Sequence, residues 1–284
     1  MAAKRSQGGI EYVLLVALIA SAFWAPLGLW LLFSGKAVDV GTSMGIAMAG
    51  VAVSALFHGT YFMSLQKGYS VGDMSLVYPL ARGTGPLLST VVAIAIYGER
   101  PSPAALVGAV FIAGGAFILT RSAKSGDPTS AQGPSQGNAR NAVMWGLITG
   151  VFIAGYTVWD KHVLSHIGVS PLFLEWGTCV IRAAVLGPIL LIRPAPRRRF
   201  TDALPALWRT AMTVAILSPF SYMMVLSALK VSPVSYVAPT REISILIGTL
   251  FGSRLLGEGD PRAKRNRAIA AGAMALGVAA LALG

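Results

Sequence analysis

Two arginines are the residues of this chain best equipped for chemistry. Each closely follows a proline, in Tyr78-Pro79-Leu80-Ala81-Arg82 and in Val237-Ala238-Pro239-Thr240-Arg241. Each precedes by seventeen residues the acid of a Gly-Glu pair, Gly98-Glu99 and Gly257-Glu258. A guanidinium offers a planar fork of donors that matches a carboxylate or phosphonate. Both arginines sit in long apolar runs, where a charge costs at least about 2.5 kcal/mol and therefore faces the protein interior with a partner or a task. The repeated pair predicts a grip on an anionic group. The structural alternative is internal pairing, Arg82 with Asp73 and Arg241 with Glu175. Glu242 is a poor partner for Arg241 in this reading, because adjacent residues on a helix point apart.

Asp73 and Glu175 are candidates for proton coupling, since a desolvated carboxylate can hold a proton near neutral pH. Asp160 is a third buried or near-buried acid of this kind, with interfacial placement the alternative because it adjoins Lys161 and His162 at a helix end, while Glu11, Glu99 and Glu258 read as capping or interfacial acids. His58 and Tyr61 are one helical turn apart, as are Tyr156 and Trp159, and Ser218 and Tyr222 are four apart. With Tyr78 and Tyr236, these polar-tipped rings form a candidate lining for a substrate pathway. Core packing or an interfacial aromatic belt would use the same residues. His162 and His166 share a helical face but lack a third ligand, so no metal site is expected. Pro79, Gly83 and Pro86, matched by Pro239 in the other half, predict a broken helix acting as a hinge. Such a break is tolerated at membrane depth only against protein or a water-filled cavity.

The elements that must position these groups are membrane helices. Of 284 residues, 55% are hydrophobic and only 12% charged, with a mean hydropathy of +0.66. Soluble domains carry about 25% charged residues. The apolar runs are close to the roughly 20 residues that cross a bilayer. They predict helices at about 10–33, 43–66, 70–97, 103–120, 142–164, 170–192, 206–229, 231–256 and 266–283. Alternation of the β-barrel kind is missing. Ala105, Ala109 and Ala113, and Gly272 with its alanine neighbours, predict closely packed small-residue faces that would serve equally inside a monomer or in a homodimer.

The net charge of +12 would suit nucleic acid, but its distribution points elsewhere. Fifteen of the 23 lysines and arginines fall in one alternating set of loops, including Arg193 and Arg197 to Arg199, and four in the opposite set. That bias predicts an N-terminus in the cytoplasm and, for nine helices, a C-terminus outside. The single Cys179 excludes a disulfide framework.

Ser122 to Asn141 is polar and rich in Ser, Gly, Gln and Pro, the composition of a flexible linker. It separates a first repeat at 1–121 from a second at 142–284. Aligning the two by their arginines sets Lys67 opposite Lys230 and Lys4 near Lys161, as though the first repeat began one helix late. A unit of five helices has an odd number of crossings, so tandem copies insert with inverted topology.

The repeats, the lysines at the ends of their third helices, the proline-containing fourth helices and the Gly-Glu endings resemble EamA-domain proteins of the drug/metabolite transporter superfamily. The most specific stretch runs from Leu226 to Glu242, with its counterpart from Gly72 to Gly83. The resemblance implies an all-α integral membrane protein with two inverted repeats of five helices, here four and five. It further implies a secondary transporter of amino-acid-like or other small, anionic solutes in the cytoplasmic membrane. Its partners would be a small-molecule substrate, the lipid bilayer and protons as coupling ion. No Walker loop, nucleophile elbow or metal-ligand cluster is legible, so neither a cofactor nor an enzymatic activity is expected. The competing expectations are a membrane-embedded enzyme acting on lipid-linked substrates and an inactive, N-terminally shortened transporter.

Overall fold

The computed structural model describes residues 10–39, 41–71, 74–122, 136–192, 194–245, 247 and 261–283. Within them the chain forms helices α1 (Ile10–Phe33), α2 (Met44–Val71), α3 (Met74–Tyr97), α4 (Pro103–Ser122), α5 (Gln136–Ser165), α6 (Pro171–Leu191), α7 (Pro194–Val231), α8 (Val234–Thr240) and α9 (Pro261–Leu283). Six contain stretches long and apolar enough to cross a membrane: α1, α2, Leu80–Tyr97 of α3, Arg140–Ser165 of α5, α6, and Leu204–Val231 of α7. Shorter apolar segments lie in α4 and α9. The protein is an all-helical, multi-pass membrane protein.

Several boundaries differ from the sequence expectation. Lys67 does not close its helix, since α2 continues to Val71. Helix α5 begins at Gln136, inside the stretch expected as linker, where Asn-Ala-Arg-Asn-Ala offers no helix breaker. Helix α7 starts at Pro194 rather than near 206, because proline at a first helical position forfeits only a donor that is free there anyway. Its basic opening, Pro194 to Ala203, adds roughly 15 Å to the apolar stretch Leu204–Val231. Helix α3 is uninterrupted through Pro79, Gly83 and Pro86, so the expected break is not found there. The interruption lies in the other half, where α8 ends at Thr240 and Arg241 and Glu242 form a turn.

The chain divides into two compact units that do not follow the two sequence halves. The first comprises residues up to Leu56 and Asp160–Val231, the second Phe57–Trp159 and from Ser232 onward. In the first unit, Leu14, Leu15, Leu190, Phe200 and Ala211 form one core and Ala20, Cys179 and Ala215 another. Backbone carbonyls receive the polar tips of the packed rings: the Trp176 indole donates to Ser21 at 3.0 Å and that of Trp24 to Ala215 at 3.4 Å. Ser170 caps α6, its hydroxyl accepting from the Phe173 N–H, with Pro171 beginning the helix. Beside it Val38 and Val169 form an isolated antiparallel bridge. Gly168 there holds φ at +81°, and a Cβ would meet Asp39 at 2.8 Å.

In the second unit, Ala105, Ile112, Ala116, Ala270, Met274 and Leu281 form the core between α4 and α9. The small-residue faces are used here within one chain. A Cβ on Gly108 would stand 2.5 Å from the Gly277 carbonyl oxygen, and one on Gly277 would stand 2.6 Å from that of Gly108. Backbone-to-backbone approach of this kind is how membrane helices gain packing without a hydrophobic driving force. Gly277→Ala should therefore destabilise the protein by about 1–3 kcal/mol, measured as a lower melting temperature in detergent. Gly272→Ala on the same helix, with nothing within 4 Å of the new methyl, should leave it unchanged or slightly raised.

Candidate substrate site

Glu99, at the end of α3, supplies the start of the site. Its two carboxylate oxygens accept from the backbone N–H groups of Val234 at 2.7 Å and Ser235 at 2.9 Å. Pro233, the cap residue of α8, has no side chain to do this. The capping role expected of Glu99 is thus observed, on a helix 135 residues away in sequence. A negative charge at this end also suits the helix dipole.

Pro239 brings no N–H to α8, and the chain tightens after it. Glu242 N–H donates to Pro239 and Ile245 N–H to Glu242, both at 3.0 Å and both three residues back. Arg241 and Glu242 consequently leave regular α-helix. The rule that adjacent helical residues point apart no longer governs them, and Arg241 Nε lies 3.7 Å from Glu242 Oε1. Arg82 Nη1, from α3, donates to the same oxygen at 3.3 Å. Glu242 is wholly buried, whereas the side chains of Arg82 and Arg241 are 27% and 12% exposed. Among the described residues, Glu242 Oε2 and Arg82 Nε are buried with no hydrogen-bond partner. Arg241 thus meets Glu242, the neighbour that the rule for regular helices had set aside. Asp73 itself, like Gly257 and Glu258, lies outside the described residues.

Aromatic rings surround the arginines. Arg241 Nη2 donates to the Tyr156 hydroxyl at 3.1 Å, with the guanidinium 5.6 Å from the ring centre. His58 stacks on Tyr156 at 4.3 Å, and Tyr61 meets it edge-on at 5.6 Å. The Arg82 guanidinium lies 5.6 Å from the Tyr78 ring, at the separation of a cation–π contact. Six of the residues singled out by type and spacing are therefore together in the second unit: Arg82, Arg241, Tyr78, Tyr156, His58 and Tyr61. The glycines of α3 and α5 allow the helices that carry them to approach. A Cβ on Gly85 would strike Ile153 at 2.6 Å, and one on Gly146 would strike Leu80 at 2.8 Å.

Other expected members are elsewhere. Tyr236 packs against the α4–α9 core. Trp159 is partly buried in α5, one turn past Tyr156. Tyr222 and Glu175 belong to the first unit, where Glu175 is buried and Thr178 Oγ1 and Cys179 Sγ lie 3.4 and 3.7 Å from its carboxylate. Of the two readings of Asp160 the buried one holds: it is fully buried, and its two oxygens accept from Ser54 at 2.5 Å and from Tyr222 at 2.6 Å. The Lys161 ammonium turns to the Leu229 carbonyl at 2.7 Å. His162 and His166 stack at 4.9 Å, and no group of three or more metal-ligating side chains occurs among the described residues.

These features define a polytopic membrane protein with a charged, ring-lined site built on its helices. The model of the EamA-like transporter family matches residues 140–283. That is just over half of the chain, which belongs to this family of membrane transporters. No curated protein matches the sequence. A solved crystal structure is similar to it with a TM-score of 0.70 at 17% identity, over 99% of this chain and 92% of that one. At that identity the likeness is one of fold.

The Asp160 cluster can be checked directly. A hydrogen bond to a buried charged group contributes about 1.5–3 kcal/mol, so Tyr222→Phe should lower the melting temperature clearly. In an Asp160→Asn background the same change should cost much less, and equal costs in the two backgrounds would show that the pair is not coupled.

Proposed function

We propose that this transporter carries small anionic or amino-acid-like solutes across the cytoplasmic membrane by alternating access, as a secondary transporter. The observation that supports this reading is the convergence of Arg82 and Arg241 on one buried carboxylate, with the arginines partly exposed and Tyr156, His58, Tyr61 and Tyr78 around them. Partly exposed guanidiniums held by a buried counter-charge can meet a ligand carboxylate through their forked donors, and the rings provide an apolar wall for its remainder. The turn after Pro239 and the proline-containing α3 are the segments assigned to bending during the cycle. Glu175, a buried carboxylate in α6, is the residue assigned to proton coupling.

Purified protein in proteoliposomes should exchange labelled amino acids or benzoate. Arg82→Ala and Arg241→Ala should each lower the rate more than tenfold, the scale of losing a charged contact of about 1.5–3 kcal/mol. Parental rates in both variants would remove these residues from the site. An inward proton gradient should drive transport in the parent but not in Glu175→Gln.

The orientation proposed from the basic residues has its own test. Cysteines introduced at Arg197 or Arg198, both exposed near the start of α7, should resist an impermeant thiol reagent in intact cells. Labelling from outside would reverse the assigned orientation.

A further inference from the structure

We infer that Glu99 is a positioning residue of this site: by tethering the start of α8 to the end of α3, it sets where Arg241 stands relative to Arg82. The inference rests on the reading of Arg82 and Arg241 as the ligand-binding pair. Helix α8 has seven residues, about two turns, and Pro239 within it contributes no N–H. So short a helix has few internal bonds to fix its course and takes its place from what holds its ends. Both ends are held from α3. At the start, the Glu99 carboxylate, just past the end of α3, accepts from the N–H groups of Val234 and Ser235 at 2.7 and 2.9 Å. At the far end, Arg82 Nη1 donates to Glu242 at 3.3 Å. The segment from Val234 to Glu242 therefore runs antiparallel to α3 and is pinned to it twice.

The choice of cap separates tethering from capping alone. Pro233 holds φ −61° and ψ 147°, the extended geometry of an N-cap, but offers no side-chain acceptor. A serine there could satisfy the first N–H groups from within its own chain. They are met instead across 135 residues of sequence, by the acid that follows the helix carrying Arg82. A local cap would satisfy the same donors without fixing α8 to α3, whereas Glu99 does both. Arg241 comes directly after α8, so a slide or rotation of α8 carries its guanidinium away from its place beside Tyr156. Displacing a gripping group by about 1 Å can cost on the order of a hundredfold. Glu99 thus acts on a ligand through α8 and Arg241, without touching it.

The test uses benzoate as the probe, its binding to the purified full chain measured by titration calorimetry beside the melting temperature. Glu99→Gln leaves one acceptor oxygen for two N–H groups, and should lower the melting temperature and weaken benzoate binding about tenfold. Removing a negative charge would by itself favour an anion, so a weakening has the opposite sign from a plain electrostatic effect. Adding Pro233→Ser to Glu99→Gln gives α8 a cap of its own. The melting temperature should recover, while the affinity should stay about tenfold below wild type. The affinity of this double variant decides, including where Glu99→Gln alone does not fold. Benzoate bound at parental strength overturns the inference, because a cap without a tether then suffices. Arg82→Ala and Arg241→Ala separate this from the underlying reading. Unaltered benzoate binding in both, or none by wild type, sinks the site assignment itself. Weakened binding in them, with parental affinity in the double variant, sinks only the role of Glu99.

Discussion

The carboxylate of Glu242, fully enclosed and shared by Arg82 and Arg241, is the interaction on which the second unit depends. Removing one member of a buried ion group leaves uncompensated charge and costs several kcal/mol, whereas the intact group contributes little net stability. Its value lies in position. It fixes two long, flexible cations at a single point and holds the turn after Pro239 against α3. The turn in turn begins with a helix whose first N–H groups are satisfied by Glu99. Cap, proline, turn and ion group form one connected arrangement, running from the end of α3 through α8 and back to Arg82.

Water is scarce inside a membrane protein, so each polar group must find its partner in the chain. The two units meet that demand differently. In the first, the hydroxyls of Ser54 and Tyr222 donate to the buried Asp160 carboxylate and indole N–H groups use backbone carbonyls, while Lys230 and Asp39 pair at 3.5 Å in a more exposed place. In the second, opposite charges face one another directly. Hydroxyls in α3 are satisfied within their own helix, Thr84 on Leu80, Ser89 on Gly85 and Thr90 on Pro86. That spends them on the backbone and leaves the guanidiniums as the strong donors of the site.

Much of this was legible in the residues. Apolar runs gave α1 at Ile10–Phe33 to the residue and α6 to within one, because bilayer thickness imposes a length on sequence. The family was legible from the repeated proline–arginine stretches, and six site residues from type and helical spacing. The partners were not. Glu242 was set aside by a rule for regular helices, although Pro239 three residues earlier was the signal that the helix ends. Asp160 was legible as a buried or near-buried acid, but its partners Ser54 and Tyr222 lie 106 and 62 residues away. Long-range pairing of this kind leaves no local pattern. The early starts of α5 and α7 were missed for another reason: helices extend beyond their apolar stretches, where hydropathy gives no signal.

The distance along the chain between Arg82 and Glu242 bears on how the protein is made. They are 160 residues apart, and the ribosome adds about 5–20 residues per second, so on the order of 10–30 s separate their synthesis. During that interval the first arginine is present in a nascent helix without the carboxylate that will hold it. A lone arginine raises the cost of inserting a helix by about 2.5–3.5 kcal/mol, which the apolar run after it, Leu87 to Tyr97, must outweigh unaided. The ion group that forms once Glu242 is made thus relieves a cost the chain has carried since α3 was inserted.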